Sequence, residues 1–137
     1  GWGGHKARGK SPVTAYALLQ DALALQAAGC FSLVLEAVPA AVAAEISQRL
    51  DIPTIGIGAG AGCDGQVLVY HDLLGLFDKF QPKFVKQYAN IGAQISQALA
   101  QYRQEVAAKT FPAESHTFTM PADELAHFFA LLDGEVG

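Results

Sequence analysis

Residues 52–76 read Ile-Pro-Thr-Ile-Gly-Ile-Gly-Ala-Gly-Ala-Gly-Cys-Asp-Gly-Gln-Val-Leu-Val-Tyr-His-Asp-Leu-Leu-Gly-Leu. The short apolar run from Pro53 to Ile57, bounded by proline and glycine, has the pattern of a strand buried on both faces. Gly58 to Gly65 reads as a loop, and Gln66 to Tyr70 as a further apolar strand. The segment Gly56-Ile57-Gly58-Ala59-Gly60-Ala61 satisfies the dinucleotide pattern Gly-x-Gly-x-x-Gly/Ala, which holds a pyrophosphate only where a helix N-terminus follows. Here Gly62 and Asp64-Gly65 lead to a turn and another strand instead. The glycines are therefore expected to make room: without side chains at Gly56, Gly58 and Gly60, the backbone can closely approach a ligand or a neighbouring strand. A tight turn with no ligand is the alternative.

Working upstream, Ser11-Pro12 reads as an N-cap and first helical position, and apolar residues keep a helical spacing from Ala15 until Gly29 ends it. A helix is expected over residues 12–28, a buried strand from Phe31 to Leu35, and a second helix from Ala40 to Leu50. The order helix, strand, helix, strand, loop, strand fits parallel strands joined by short crossovers. Downstream, a short helix is expected over 82–89 and a longer one over 91–108, where Ile91, Ile95, Leu99, Tyr102 and Val106 share a face. Residues 109–119 read as irregular. Pro121 opens a last helix, with Asp123 and Glu124 in its first turn, where carboxylates suit the dipole.

The composition fits one compact α/β domain: 137 residues, 51% apolar and 16% charged. A net charge of -4 with scattered basic residues gives no nucleic-acid footprint. No apolar run reaches the roughly 18 residues of a membrane span, and no basic-then-apolar leader precedes the first helix. Cys30 and Cys63 have neither a close-spaced pair nor a histidine cluster, so reduced thiols in a cytoplasmic setting are expected. The first residue is glycine, so the chain is expected to be cut from something longer.

Glu36 is the first candidate for chemistry. It ends an apolar strand, and the C-terminal ends of parallel strands form the active face of barrels. An apolar setting there disfavours an ionised carboxylate, the property a general base at neutral pH needs. Its structural alternative is a cap for the following helix or a partner for a buried lysine. His71 and Asp72 fall at the expected end of the third strand, where they could orient a substrate or bind a metal; a satisfied structural group is the alternative. Lys79, Lys83 and Lys86 form a modest basic cluster, and His5 and His116 have no metal-site spacing. Trp2, Tyr16 and the phenylalanines are expected in the core.

Four segments carry a family resemblance: Gly3-Gly4-His5-Lys6-Ala7-Arg8-Gly9-Lys10, Leu33-Val34-Leu35-Glu36-Ala37-Val38-Pro39, residues 52–90, and Phe111-Pro112-Ala113-Glu114-Ser115-His116-Thr117-Phe118. Together they resemble ketopantoate hydroxymethyltransferase. The resemblance implies a magnesium-dependent (β/α)8 TIM barrel of the phosphoenolpyruvate mutase and isocitrate lyase superfamily, assembled as a homo-oligomeric decamer. It implies hydroxymethyl transfer from 5,10-methylenetetrahydrofolate to the 2-oxo acid 3-methyl-2-oxobutanoate, giving 2-dehydropantoate for pantothenate biosynthesis. Glu36 matches the family's proton-accepting glutamate. Gly56, Gly58, Gly60, His71 and Asp72 are expected to line the substrate site; for the lysine cluster the two readings are contact with a polyanionic folate tail and a merely solvated surface.

A full barrel takes roughly 250 residues, so the expectation is its C-terminal half, with three to four strands and outer helices. Mg²⁺ ligands are expected in the other half, and residues 119–137 as an added helical tail. His5 departs from the family's usual tyrosine and Ser115 from its usual Glu-Glu-His. Two alternatives remain: a related 2-oxo acid lyase or mutase, and a non-catalytic half-barrel assembly module. Open sheet edges lead to an expectation of self-association.

Overall fold

The computed structural model describes residues 6–77 and 80–134. Helix α1, Pro12–Ala27, begins where Ser11 and Thr14 cap each other: the Ser11 hydroxyl accepts from the Thr14 amide at 3.2 Å, and Thr14 Oγ1 accepts from the Ser11 amide at 3.2 Å. Such caps typically contribute ~1 kcal/mol. Pro12 then occupies a position whose N–H would be unpaired anyway.

Strand β1, Leu33–Glu36, is followed by helix α2, Ala40–Arg49, strand β2, Thr54–Ile57, and strand β3, Gly65–Gln66. The sheet is parallel in the order β1-β2-β3, with Leu35 opposite Gly56 and Glu36 opposite Ile57. Side chains alternate between the two faces of a strand, so this register puts Leu35, Thr54 and Gly56 on one face. The core lies there: Leu35, Val38, Ala43, Ile46 and Leu50 are buried, with Leu18, Leu19 and Leu23 of α1 packed against them. The opposite face carries Val34, Glu36, Ile55 and Ile57, and Val34 is 62% exposed.

A polar cluster around the buried Thr54 fixes the base of β2. Thr54, with no exposure, has its hydroxyl 2.7 Å from the Ser47 hydroxyl, and Ser47 in turn donates to the Ala43 carbonyl at 2.8 Å. Asp64 Oδ2 accepts from the Thr54 amide at 2.8 Å and from its hydroxyl at 3.2 Å. This ties the end of the glycine loop back to the start of the strand before it.

Two expectations are corrected. The apolar run 66–70 forms a strand only at Gly65–Gln66, with one further bond from the Val67 amide to the Gly56 carbonyl at 3.0 Å. The ladder stops because β2 ends at Ile57 and Gly58 turns away in the left-handed region, leaving Leu68 onward nothing to pair with. The chain winds instead into helix α3, Tyr70–Leu74, which the left-handed Gly75 terminates. Residues 82–89 form no helix. They are held by the bond from the Tyr88 amide to the Leu73 carbonyl at 2.8 Å and by a single turn, Val85 amide to Pro82 carbonyl at 3.1 Å.

The chain divides into two compact units, Gly1–Gln94 and Ile95–Gly137. The second unit contains most of helix α4, Ile91–Ala108, then a 3-10 turn at Glu114–His116 and helix α5, Ala122–Leu132. Helix α4 matches its expected range, and α5 starts directly after Pro121, as expected. Their apolar stripes are open, with Leu99 and Leu132 largely exposed. Within this unit Phe111 packs edge-on to Tyr102 and tilted against His116, with ring centres 5.7 and 5.2 Å apart. Among the described residues, no helix is long and apolar enough to cross a membrane.

Candidate active site at the strand ends

Glu36 is the last residue of β1, as expected. The strand end is locked on both sides. The Ala37 amide donates to the Ile57 carbonyl at 2.9 Å, and the Arg8 amide donates to the Ala37 carbonyl at 2.8 Å. Between these bonds Ala37 takes φ 52°, a left-handed conformation that costs a non-glycine residue about 1–2 kcal/mol. The turn directs the chain off the sheet into Val38 and Pro39, and α2 starts at Ala40. Glu36 itself is exposed, on the same face as Val34. The apolar enclosure expected around its carboxylate is therefore not supplied by the described residues.

Behind this turn lies a cleft of about 730 Å³. Its walls come from Ala7, residues 37–40, the glycine loop, and Lys83 with Phe84. Gly58 and Gly60 line it, whereas Glu36, Gly56, His71 and Asp72 do not. Gly58 has φ 66° and faces Phe84, whose ring would lie 2.6 Å from an added Cβ. Gly60 has φ 77° and would bring a Cβ to 2.5 Å from that of Ala40, at the start of α2. The bare backbone thus lets the loop press against a ring on one side and a helix on the other. Gly56 is buried with the Cys63 sulfur over it.

The cleft's polar groups differ in their commitments. Asp64 Oδ2 is taken by Thr54, as described above. The Gln66 carboxamide donates to the Gly60 carbonyl at 2.8 Å, bracing the loop from inside. Among the described residues Lys83 forms no ion pair, and the pair that forms joins Arg49 and Glu45, 2.8 Å apart on the surface of α2.

The structure places His71 and Asp72 in α3 rather than at a strand end. The His71 ring stacks on Phe77, with centres 4.7 Å apart, and the Asp72 carbonyl accepts from the Gly75 amide. His116 belongs to the second unit, where its Nδ1 accepts from the Ala113 amide at 3.1 Å. The Lys86 ammonium lies 4.7 Å from the centre of the Tyr88 ring. Both cysteines are unpaired and half-buried. Trp2, His5 and Lys79 lie outside the described residues. The sequence reading missed Lys83 as a cleft residue distinct from its cluster; the signal available was the Pro-Lys-Phe triplet, in which two packing residues flank a lysine. It also missed the Ser47–Thr54–Asp64 cluster, whose members are 17 residues apart in sequence and meet only once the sheet forms.

A parallel sheet with a cleft beyond the strands' carboxyl ends is of the α/β class, whose ligands are generally bound at that edge. The particular family follows from comparison. The family model described as ketopantoate hydroxymethyltransferase matches residues 1–114, and the chain belongs to this family. It is 55% identical over 131 residues to the 3-methyl-2-oxobutanoate hydroxymethyltransferase of Nitratidesulfovibrio vulgaris (strain DP4), covering 96% of this chain and 43% of that protein. For the protein of that name from Oleidesulfovibrio alaskensis, the figures are 58% over 122 residues, 89% and 42%. For that from Emericella nidulans they are 51% over 133 residues, 96% and 38%. The chain thus spans less than half the length of these relatives. The match to 96% of the chain extends past residue 114, where the family model ends, into α5.

Proposed function

We propose that the chain forms the second half of a (β/α)8 barrel that transfers a hydroxymethyl group from 5,10-methylenetetrahydrofolate to 3-methyl-2-oxobutanoate. The reaction balances as oxo acid, folate methylene carbon and one water giving 2-dehydropantoate and tetrahydrofolate. The observation that carries the reading is Glu36 at the carboxyl end of β1, on the face that α1 and α2 leave open, in a chain of this family. Its carboxylate takes the proton from the carbon next to the keto group, and the carbon so freed forms the new bond. The locked turn at Ala37 fixes the direction in which that carboxylate leaves the strand. Covering of the open face by the rest of the barrel would supply the apolar enclosure that the described residues lack.

Magnesium does not fit these residues: no group of three His, Cys, Asp or Glu side chains that could hold an ion is present among those described. A hard cation needs several convergent oxygen ligands, so its ligands are proposed to lie beyond the described residues, in the other half of the barrel. Gly58 and Gly60, which line the cleft, are proposed as part of the substrate site. Gly56, His71 and Asp72 are proposed to support it from behind the lining. A cytoplasmic setting and a homo-oligomeric assembly, with the open sheet face and the exposed stripes of α4 and α5 as contact surfaces, belong to the same proposal.

The test is to complement the chain with the part of the Nitratidesulfovibrio vulgaris relative that it does not match. The mixture is then assayed for solvent deuterium exchange into 3-methyl-2-oxobutanoate and for product. Exchange that requires both parts is expected. Complemented protein that is folded but promotes no exchange refutes the reading.

A further inference from the structure

We infer that Ala37 is a positioning residue for the Glu36 carboxylate, its strain maintained by a backbone strap at residues 8–9 because that strain aims the base. This rests on the function proposed above and adds what makes the aim precise. In the first unit, the other described residues with left-handed backbone are Gly9, Gly29, Gly58, Gly60 and Gly75. Glycine enters that region freely, whereas alanine is strained there. Ala37, at φ 52°, is the exception, and it directly follows the proposed base at the end of β1. Backbone strain persists only where the surroundings over-determine it, and it clusters at active sites.

Three elements converge on this residue. Its amide is held by the Ile57 carbonyl of β2 at 2.9 Å and its carbonyl by the Arg8 amide at 2.8 Å. Arg8 is anchored in turn by Gly9, which is buried so close to α1 that an added Cβ would lie 2.6 Å from Leu18 Cδ1. On either side of the Glu36–Ala37 pair, Leu35 and Val38 are both buried. Regular alternation would turn Ala37 to the core side with Leu35, and the left-handed turn gives that place to Val38 instead. Glu36 itself is exposed, and no hydrogen bond holds its side chain among the described residues. The backbone on which it stands therefore sets its direction. Glycine at position 37 would make the same turn with less strain, but it would also return the freedom that blurs a near-attack geometry.

The complemented protein is prepared unchanged and as Ala37→Gly, Ala37→Asn and Glu36→Gln. Urea denaturation reads stability. Solvent deuterium exchange into 3-methyl-2-oxobutanoate, followed over a range of its concentration, separates the maximal rate from the half-saturating concentration. Ala37→Gly is expected to unfold at the same or a higher urea concentration, because alanine at positive φ is the destabilising choice. Its maximal exchange rate is expected to fall about 10-fold, with half-saturation within about twofold of the unchanged protein. Stability and rate thus move apart, which a merely structural residue would not produce. Asparagine tolerates the left-handed region better than other residues bearing a Cβ, yet is less free than glycine, so Ala37→Asn is expected to recover most of the rate. An undiminished rate in Ala37→Gly, a lower urea midpoint for it, or an equal loss of rate in Ala37→Asn overturns the inference. The functional reading then stands as long as Glu36→Gln abolishes exchange. A Glu36→Gln protein that exchanges at the full rate removes Glu36 as the base and the inference with it.

Discussion

The two faces of the three-stranded sheet obey different rules, although they share strands and backbone. On one, Leu35, Thr54 and Gly56 are buried by α2 and the returning glycine loop, and every buried side-chain polar atom among the described residues is satisfied. On the other, Val34 and Glu36 stand open. Parallel sheets normally have both faces covered. The first face therefore holds the local fold together, and the second is where chemistry and assembly are free to be placed. Family membership adds the reason: the relatives are more than twice as long as the part matched here.

The comparison breaks most visibly at Glu36. In the complemented protein, Glu36→Gln preserves shape and removes basicity, so turnover is expected to fall by about 10²- to 10⁴-fold. Stability should be unchanged, because the side chain is exposed and no hydrogen bond holds it among the described residues. Deuterium exchange without folate is the readout, since it isolates proton removal. Full exchange in this variant would transfer the role of base to another group.

On the covered face the effects invert, with large losses in stability. Ile46 is 1% exposed in the middle of the core, and Ile46→Ala is expected to cost about 2–4 kcal/mol through lost contacts and the cavity left behind. Thr54→Val is nearly isosteric yet removes the hydroxyl that Ser47 and Asp64 share. A cost of about 1–3 kcal/mol is expected, since the partners are left unsatisfied. Urea denaturation of the chain measures both. A Thr54→Val protein as stable as the original would mean that water replaces the hydroxyl and that the loop is not anchored there.

The difference between faces also explains how much could be read beforehand. Local signals were sufficient for α1, where Ser11-Pro12 and Gly29 mark both ends, and for Glu36 at the close of a short apolar run. They failed where pairing partners decide the outcome. The run 66–70 has the composition of a strand, but the neighbouring strand ends at Ile57, so the ladder closes and α3 forms. Residues 82–89 have helical spacing, but Phe84 and Tyr88 are claimed by the glycine loop and α3. Candidate residues divided similarly. Gly58 and Gly60 reach the cleft, while His71 stacks on Phe77 inside the α3 region, because a helix replaced the strand expected to present it.

The smallest effect is expected at Val34, and it sharpens the contrast most. In this chain the residue is 62% exposed, so Val34→Ser should change stability by no more than about 0.5 kcal/mol, the usual range for a surface site. The same substitution in the complemented protein tests whether the open face becomes an interior. A side chain buried on assembly would lose roughly 1–2 kcal/mol of transfer free energy when made polar. The hydroxyl would further require a partner in an apolar setting. The measurement is a pair of denaturation curves, original against variant, for the chain alone and for the complemented protein. A cost that appears only after complementation means that Val34 and Glu36 share a face that closes, enclosing the carboxylate as the proposed base requires. Equal, near-zero costs in both would leave Glu36 on a wet surface, and its assignment as base would lose its physical support.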